Sequence, residues 1–346
     1  MIWLDVTKTA DARHKSGLTR VTTRLAEELG GAARRHGWPR RGGWKGEGER
    51  SDWYVTAEVF APAERPGFER LLHDRPLGLA AIFHDAIPLE LPDVTWPQAV
   101  ARHPAYLSML ADFDRVFAVS EASREKLLGF WRWQGRAARA RVEVIALGAD
   151  FARGADQAEQ GQAGSRAQHE REGRPALLCV GILEPRKRQD FLVGVAEALW
   201  REGLDFNLGF AGRVNPHFGK PILKRIKASR ARYLGAVGDD ELARLYRGAI
   251  ACLFPTSAEG CGLPLLEALG LGTPCVASDI PALRENAGGG CVLVGCDDAQ
   301  AWIETLRLLL TAASTRDALR AQAESRSSSL PRWAGTARAL QSFLSA

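Results

Sequence analysis

The sequence has no paired cysteines and no long hydrophobic runs, and each absence excludes a class of protein. Its six cysteines include no C-x-x-C pair, and several lie inside apolar runs such as ALLCVG and IACLFP. A zinc site needs closely spaced ligand pairs, so we predict buried free thiols in a reducing compartment. No run approaches the roughly 18 apolar residues of a membrane span. The first residues, MIWLDVTKTADARHK, are strand-like and do not resemble a secretory signal.

Lysine is also scarce, since it supplies only eight of the 46 cationic side chains. The formal net charge is +5 and the sequence pI is about 9.0, so the surplus of positive charge is mild and is mostly arginine. A planar guanidinium matches phosphate oxygens well, so an anionic ligand or surface is plausible. No RNP motif, paired zinc ligands or basic region with heptads is present, and we therefore expect no nucleic-acid partner.

Apolar runs alternate with helical patterns along the whole chain. A length of 346 residues exceeds what one hydrophobic core usually holds, so two domains are expected. Strand-like runs lie at 2–6, 52–55, 77–83, 115–120, 141–147, 176–183, 206–212, 232–236, 250–255, 273–278 and 290–294. A helical pattern covers 16–35, and further ones close the chain at 298–312, 315–326 and 331–345. This alternation predicts an α/β protein with parallel sheets.

A change of composition divides these elements into two series. Residues 152–175 contain almost nothing apolar and are typical of a linker. We therefore predict a Rossmann-like lobe over 1–165 with its linker from about 152, and a second over 166–330. The helix over 331–346 could cross back to the first lobe. Such lobes bind ligands at the carboxyl ends of their strands, in the crevice between them.

Two strand–turn–helix junctions in the second half concentrate the polar residues. Glu259-Gly260-Cys261-Gly262-Leu263 follows a buried strand and opens a helix that carries Glu267. Glycines there let backbone N–H groups approach an anion, and a carboxylate such as Glu267 can accept hydrogen bonds from the vicinal hydroxyls of a ribose. Gly181 to Lys187 follow another strand, where Arg186 and Lys187 could neutralise a diphosphate. A capped helix and a solvated charged turn are the structural alternatives.

The first half offers two weaker candidates. Phe83-His84-Asp85 ends a strand, where a histidine followed by an acid can form a site, although such a histidine is often satisfied locally. Ser16-Gly17 begins a helix, and Gly17 could admit a ligand close to the backbone; an ordinary N-cap is the alternative. The loop around Val237 precedes acids that cap the next helix and could hold a nucleotide base.

Together these blocks resemble the retaining GT-B glycosyltransferases of the large "group 1" family with the E-x7-E motif. The resemblance covers nearly the whole chain and is strongest over 233–294, which includes EGCGLPLLE. SGLTRV, FHDAIPLELPD, VFAVSEASREKLL and GILEPRK are similar to the other blocks of the family, in the right order. The resemblance implies the GT-B architecture, in which two Rossmann-like lobes with parallel sheets face a central cleft.

The resemblance also implies a role for each candidate. The catalytic residues would be His84, Glu259, Arg186 and Lys187. The donor-binding residues would be Gly17, Gly181, Val237, Gly260, Cys261, Gly262, Leu263 and Glu267. The two cations would neutralise the diphosphate leaving group, and His84 would reach across the cleft to the reacting sugar. The resemblance implies no metal, because the cationic side chains and the helix terminus would stabilise the charge that a divalent ion stabilises elsewhere. No cofactor is expected, since the nucleotide-sugar donor is itself a substrate.

The implied function is transfer of a hexose to a saccharide or lipid-linked saccharide, with retention of configuration, in cell-surface polysaccharide or glycolipid biosynthesis. The PRK block is frequent among mannosyltransferases, which favours GDP-mannose weakly and leaves UDP-sugars and other donors open. Two departures bear on the donor: many members have arginine where Ile182 stands, and asparagine where Arg188 stands. A non-catalytic sugar-nucleotide-binding protein, an epimerase and a glycogen-type synthase are the alternatives.

Two segments of the first lobe combine arginines with tryptophans, at 34–50 and 124–141. Basic charge next to aromatic side chains suits an anionic membrane surface, which would present a lipid-linked acceptor. Tryptophans that pack inside the lobe under solvated arginines explain the same pattern equally well. The predicted location is therefore cytoplasmic, with peripheral contact at the inner face of the membrane left open.

Overall fold

The computed structural model describes residues 1–10, 16–39, 43–44, 48–150 and 174–345. Two compact units are formed, one by Met1–Gly148 with Pro331–Ala346 and the other by Ala149–Leu330. The linker predicted from about residue 152 lies outside the described residues. Each unit is built around its own parallel sheet.

The first unit contains a parallel sheet of six strands within the described residues, in the order β2-β1-β3-β4-β5-β6. Its strands are β1 (Ile2–Asp5), β2 (Ala33–His36), β3 (Trp53–Thr56), β4 (Gly78–Phe83), β5 (Arg115–Ala118) and β6 (Arg141–Val144). Its helices are α1 (Gly17–Leu29), α2 (Phe68–Asp74), α3 (Ile87–Glu90), α4 (Pro97–Leu110) and α5 (Glu121–Trp133). Strand order reverses between β1 and β3, which makes their carboxyl ends the switch point of this sheet.

One strand of this sheet was not predicted. The helical pattern over 16–35 predicts a single helix, but α1 ends at Leu29 and residues Ala33–His36 form β2, parallel to β1. The chain leaves the helix at Gly30-Gly31, where Gly30 has φ +49°, a left-handed conformation that glycine adopts without strain. Because β2 lies at the sheet edge, Arg34 and Arg35 can remain exposed there.

The second unit also has a six-stranded parallel sheet in the described part of the chain, in the order β12-β11-β10-β7-β8-β9. The strands are β7 (Ala176–Val180), β8 (Asn207–Ala211), β9 (Arg232–Gly235), β10 (Ala251–Phe254), β11 (Cys275–Ser278) and β12 (Cys291–Val294). The helices are α6 (Gln189–Arg201), α7 (Gly219–Lys227), α8 (Asp239–Gly248), α9 (Leu263–Gly270), α10 (Pro281–Ala287), α11 (Ala299–Thr311) and α12 (Ala313–Ser327). Here β7 and β10 are neighbours and form the switch point.

The strands of the second unit are apolar because helices cover both faces of the sheet. Leu177 and Leu253 belong to the cluster under α6 and α11, whereas Leu178 and Cys252 belong to the cluster under α8, α9 and α12. Parallel sheets bury both faces, so their strands are nearly continuous apolar runs. All six cysteines of the unit are free, as the sequence predicts, and four of them are buried.

The last helix, α13 (Trp333–Ser345), packs in the first unit. The Thr336 hydroxyl donates to the Ala146 carbonyl at 2.8 Å, and the Phe343 ring stacks on Phe117 with centroids 5.7 Å apart. Trp333 is fully buried. None of the helices in the described residues combines the length and the apolar character that a membrane crossing needs.

Candidate active site

The two junctions singled out in the second half meet at the switch point of the second sheet. Gly181 directly follows β7, and residues Pro185–Lys187 form one turn of 3-10 helix before α6. Glu259 lies between β10 and α9. Because β7 and β10 pair side by side in parallel, the loops that follow them lie at the same edge of the sheet.

A buried ion cluster joins the two loops. Lys187 Nζ pairs with Glu259 Oε1, and Arg186 Nη1 lies 3.3 Å from Glu259 Oε2. The Arg186 Nη1 also donates to the Ala258 carbonyl at 2.8 Å, and its Nε lies 2.7 Å from Glu184 Oε1. The side chains of Lys187 and Glu259 are 12% and 11% exposed, so water screens these contacts only weakly.

Burial and these charged neighbours together determine the protonation state of Glu259. Burial opposes the ionised carboxylate and is the largest single influence, but Lys187, Arg186 and the hydrogen bonds outweigh it and lower the pKa of Glu259 to about 2. Glu259 therefore carries a negative charge at neutral pH, where it can accept hydrogen bonds but cannot donate a proton.

Backbone hydrogen bonds fix the same two loops. The carbonyl of Arg186 accepts from the Ser257 backbone N–H at 2.8 Å and from the hydroxyls of Thr256 and Ser257, each at 3.2 Å. Neither hydroxyl was identified from the sequence, because a Thr-Ser pair after a strand has no distinctive pattern. Their contacts hold the Arg186 carbonyl, which directly precedes Lys187, and this limits the movement of the Lys187 side chain.

Gly262 caps α9 in a left-handed conformation, with φ +77°. A Cβ on Gly262 would lie 2.3 Å from Leu283 Cδ2, so both the conformation and the packing require glycine here. Leu263 begins the helix, and Pro264 occupies its first turn. The N-terminus of α9 thus follows shortly after Glu259 in the chain. Its unsatisfied N–H groups and the positive end of its dipole favour an anion at this position.

Glu267 lies in the second turn of α9 and is only 4% exposed. The hydroxyl of Tyr246, on α8, lies 3.2 Å from Glu267 Oε2. Tyr246 was not identified from the sequence, where it looks like one more apolar residue of an amphipathic helix. Cys261 lies between the two glutamates, and burial raises its thiol pKa above the usual range with a further contribution from Glu259. The thiol therefore stays protonated and unreactive.

Asn286 and Gly212 also support the loops after β10 and β7, and neither residue was identified from the sequence. The Asn286 side-chain amide, on α10, donates to the Cys261 carbonyl at 2.7 Å. Gly212 follows β8 with φ +152°, and a Cβ there would lie 1.9 Å from the Gly181 carbonyl oxygen. A glycine directly after a strand was the signal that could have identified Gly212.

The remaining predicted residues of this unit make contacts outside the cluster. Val237 packs against the core under α8 and lines a groove of about 330 Å³ between α8 and β7 to β9. Arg188, in a left-handed conformation with φ 52°, pairs with Asp297 at 2.5 Å and lies over the Phe191 ring. The Ile182 carbonyl accepts from Gln189 at 2.9 Å. The guanidinium of Arg188 is thus engaged with Asp297 and Phe191.

In the first unit, His84 follows β4, and hydrogen bonds hold both this residue and the next one, Asp85. Its Nε2 lies 2.9 Å from the Ala57 carbonyl, its own carbonyl accepts from the Ser123 hydroxyl at 2.8 Å, and His103 Nε2 lies 3.2 Å from the carbonyl of Asp85. Because a carbonyl only accepts, Nε2 must carry the proton, which leaves Nδ1 as an acceptor in the neutral ring. Burial lowers the pKa of His84 and keeps the ring neutral.

Gly17 is the first residue of α1 and is exposed. The Ser16 side chain caps this helix and accepts from the Thr19 N–H at 3.1 Å. This is the ordinary N-cap that was the alternative to a ligand site, and a cap of this kind leaves room for an anion at the helix N-terminus.

The two segments that combine arginines with tryptophans contain both buried and exposed aromatic residues. Trp131 is buried and donates to the Leu107 carbonyl at 2.8 Å, whereas Trp133 is 80% exposed. In 34–50, Trp38 is buried and Trp44 packs on Trp3, while residues 40–42 and 45–47 lie outside the described part. Most of the cations in 124–141 have an acid beside them, in the pairs Arg124–Glu121, Lys126–Glu90, Arg132–Glu125, Arg136–Asp112 and Arg139–Asp114.

Comparison with known proteins finds sequence similarity to glycosyltransferases. Residues 174–312 match the family model described as "Glycosyl transferases group 1". The serotype-specific mannosyltransferase WbdA of Escherichia coli is 29% identical over 233 residues, which are 62% of this chain and 28% of WbdA. A D-inositol 3-phosphate glycosyltransferase of Kineococcus radiotolerans is 32% identical over 252 residues, 65% of this chain and 55% of that protein. The chain thus spans between about a quarter and about half the length of these relatives.

Solved structures resemble the chain over nearly its whole length. Anabaena Alr3699/HepE, solved in complex with UDP and glucose, has a TM-score of 0.74 at 15% identity and covers 99% of both chains. Sucrose-phosphate synthase from Thermosynechococcus elongatus has a TM-score of 0.71 at 18% identity, with 99% of this chain and 97% of that chain covered. At such identities the likeness shows the fold, which is the GT-B fold predicted from the sequence. Residues 174–312 of this chain thus contain a domain that matches the group 1 glycosyltransferases.

Proposed function

We propose that this protein is a retaining glycosyltransferase that moves a hexose from a nucleotide-sugar to a saccharide or lipid-linked saccharide acceptor. The observation that carries the proposal is the buried cluster at the switch point of the second sheet. Lys187 and Arg186 both contact one carboxylate, Glu259, while Arg186 also pairs with Glu184, and the N-terminus of α9 follows Glu259. The cluster therefore presents two cations and a helix N-terminus where a departing diphosphate would develop negative charge.

In the proposed reaction, the bond between the anomeric carbon and the diphosphate oxygen breaks and its electron pair stays on the diphosphate. Lys187 and Arg186 stabilise that charge, and their buried position makes each contact stronger than it would be in water. The acceptor hydroxyl oxygen bonds to the anomeric carbon on the same face, and its proton passes to the leaving phosphate. The retention of configuration in this scheme is an expectation from the family.

Glu259 has two parts in this scheme. Its ionised carboxylate, with a pKa of about 2, keeps Lys187 charged and in place, and it can accept hydrogen bonds from hydroxyls of the transferred sugar. Glu267 would accept from the ribose hydroxyls. His84 would accept a hydrogen bond at Nδ1, because its Nε2 proton is engaged by the Ala57 carbonyl.

The donor we favour is GDP-mannose, with UDP-sugars as the next choice. The printed names of relatives support mannose, since WbdA and the O-antigen chain mannosyltransferase RfbU of Salmonella typhimurium are both mannosyltransferases. They also support a role in O-antigen or a similar cell-surface polysaccharide. We further propose a cytoplasmic location, turnover without a metal ion or cofactor, and peripheral contact with an anionic membrane through 124–141 and 34–50.

The test is a thermal-shift screen against GDP-, UDP-, dTDP- and ADP-sugars, with EDTA and with Mg²⁺. Ligand at about 100 times its Kd should contribute roughly 2.7 kcal/mol to stability. Stabilisation by one nucleotide class in EDTA, followed by turnover only when a saccharide acceptor is added, is the expected result. Turnover of donor without acceptor would favour an epimerase, and binding without any turnover would favour a non-catalytic protein.

A further inference from the structure

The Tyr246 side chain bridges two helices of the second unit and ends at Glu267. Tyr246 is fully buried on α8, and its hydroxyl lies 3.2 Å from Glu267 Oε2 and 3.3 Å from the Pro264 carbonyl, both on α9. The Thr273 hydroxyl donates to the Tyr246 carbonyl at 3.0 Å, which anchors the backbone of this residue as well. The phenol ring and its backbone are therefore both fixed beside the Glu267 carboxylate.

The hydrogen-bonding chemistry of Tyr246 and Glu267 determines where the O–H of the phenol points. A carboxylate only accepts hydrogen bonds, so the single Tyr246 proton is shared between Glu267 Oε2 and the Pro264 carbonyl. The hydrogen bond to the charged acceptor is the stronger of the two. Because Glu267 is only 4% exposed, water cannot readily replace the hydrogen bond from Tyr246 when that hydroxyl is removed.

We propose that Tyr246 is a positioning residue whose hydroxyl orients the Glu267 carboxylate toward the vicinal hydroxyls of the donor ribose. This rests on the proposed function, in which Glu267 binds the ribose. It adds that the preference for ribonucleotides over 2′-deoxyribonucleotides depends on Tyr246. A site that hydrogen-bonds a substrate hydroxyl discriminates strongly against the analogue that lacks it, because the polar group of the site is then left unpaired. The donors are therefore ribonucleoside diphosphate sugars, and dTDP-sugars are poor substrates.

The experiment measures Kd by isothermal titration calorimetry for GDP and 2′-deoxy-GDP, and for UDP and 2′-deoxy-UDP. Wild-type protein should bind the ribonucleotide of its preferred base at least about tenfold more tightly than the deoxy form. In Tyr246→Phe, ribonucleotide binding should weaken by about tenfold while deoxynucleotide binding changes by less than about twofold. A circular dichroism melt of each variant verifies folding, since phenylalanine keeps the buried ring.

A double-mutant cycle separates positioning from packing. Glu267→Gln should lose the same discrimination, and adding Tyr246→Phe to it should cause no further loss. Tyr106→Phe is the matched control, because Tyr106 is a buried tyrosine of the first unit whose hydroxyl has no hydrogen-bond partner among the described residues. It should keep the wild-type ratio of ribonucleotide to deoxynucleotide affinity.

Two results in Tyr246→Phe would overturn the inference. Equal weakening of both nucleotide forms would give the hydroxyl a purely structural role, and unchanged binding of both forms would show that Tyr246 does not orient Glu267. Failure of the proposed function gives a different result, because wild-type protein would then bind none of the four nucleotides. Equal binding of both forms by wild-type protein would show that Glu267 does not recognise the ribose 2′-hydroxyl. That result would contradict this inference while leaving nucleotide binding intact.

Discussion

Each of the two sheets carries a buried ion cluster at its switch point, and the two clusters differ in how many cations contact the central glutamate. In the second unit, two cations surround Glu259. In the first unit, one cation, Arg65, serves two carboxylates: its Nη1 lies 2.5 Å from Asp5 Oδ2, and its Nη2 lies 2.6 Å from Glu58 Oε2. All three side chains of the first cluster are almost completely buried, at 2% exposure or less.

The titration of the two glutamates reflects this difference. Burial and then the neighbouring Asp5 raise the pKa of Glu58, although Arg65 and backbone donors oppose the change. The pKa of Glu259, in contrast, falls to about 2 despite its burial. The same side chain in the same kind of position thus ionises more readily or less readily according to which charges surround it.

The partners of the two clusters suggest different uses. Glu58 accepts from the backbone N–H groups of Lys8 and Thr9, and Asp5 accepts from the Thr7 hydroxyl, so the first cluster ties the loop after β1 to the loop after β3. The extra negative charge of this cluster is balanced in part by backbone N–H donors. The second cluster places two cations against Glu184 and Glu259, beside a helix N-terminus. We infer that the first cluster stabilises its unit, whereas the second is arranged for an anionic ligand.

The largest expected effect is on the stability of the first unit. Arg65→Met leaves two buried carboxylates without their cation and should lower the free energy of unfolding by about 3–5 kcal/mol. Urea unfolding followed by tryptophan fluorescence measures it. Arg225→Met is the control, because Arg225 pairs with Glu197 on the surface and should cost about 1 kcal/mol or less. Equal losses in the two variants would contradict a structural role for the first cluster.

The next effect is on turnover by the second cluster. Lys187→Ala should lower kcat by about 100-fold or more, because it removes a cation from the developing diphosphate charge. Initial rates with the donor found in the screen measure this change. Lys220→Ala, which removes an exposed lysine of α7, should keep wild-type turnover. Wild-type turnover in Lys187→Ala would disprove the phosphate-neutralising role.

The pH dependence of stability should differ in sign between the two glutamates. The pKa of Glu259 is lower in the folded protein than its ordinary 4.5, so its stabilising contribution is present above about pH 4.5 and is lost as the pH falls toward 2. The folded pKa of Glu58 is raised, so its ionisation costs stability, and that cost is relieved as the pH falls toward 4.5.

Urea unfolding at several pH values, with Glu259→Gln and Glu58→Gln as references, measures both contributions. The stability advantage of wild-type protein over Glu259→Gln should shrink as the pH falls below about 4.5. The stability of wild-type protein relative to Glu58→Gln should grow as the pH falls toward that value. Slopes of the same sign in the two comparisons would contradict the opposite effects of the surrounding charges on the two glutamates.

The smallest effect concerns the surface of the first unit. Because most cations of 124–141 have acids beside them, membrane affinity through this segment should depend more on exposed Trp133 than on charge. Trp133→Ser should lower sedimentation with vesicles of phosphatidylglycerol by a few-fold at most. Leu308→Ser, at an exposed apolar residue of the second unit, should leave it unchanged. A larger loss in Arg124→Gln than in Trp133→Ser would restore the electrostatic explanation.

Much of the fold could be predicted from the sequence because its elements are encoded locally. Short apolar runs alternating with amphipathic helices indicate parallel α/β units whatever their final neighbours are. The prediction of one helix over 16–35 was wrong beyond Leu29. Residues of β2 include two exposed arginines, and this strand gains its hydrogen bonds from β1 at the edge of the sheet. An edge strand of that composition has no strand pattern of its own.

The candidate site could be predicted only as separate loops. Glycines, acids and cations after strands identified the junctions at Gly181 to Lys187 and at Glu259 to Glu267, and their assigned roles stay predictions. Tyr246, Thr256 and Ser257 were missed because each is an ordinary residue in its own segment. Their importance comes from a hydrogen bond to a residue far away in the chain.

The sequence by itself therefore determined the class of fold, the group 1 resemblance and the types of side chain available at each strand end. Only the tertiary structure decided which charges meet. Lys187 and Glu259 are 72 positions apart, and Asp5 and Arg65 are 60 apart. Whether a glutamate faces two cations or shares one depends on which strands are neighbours in the sheet. Local patterns do not specify that order, because it is selected by the packing of the whole unit.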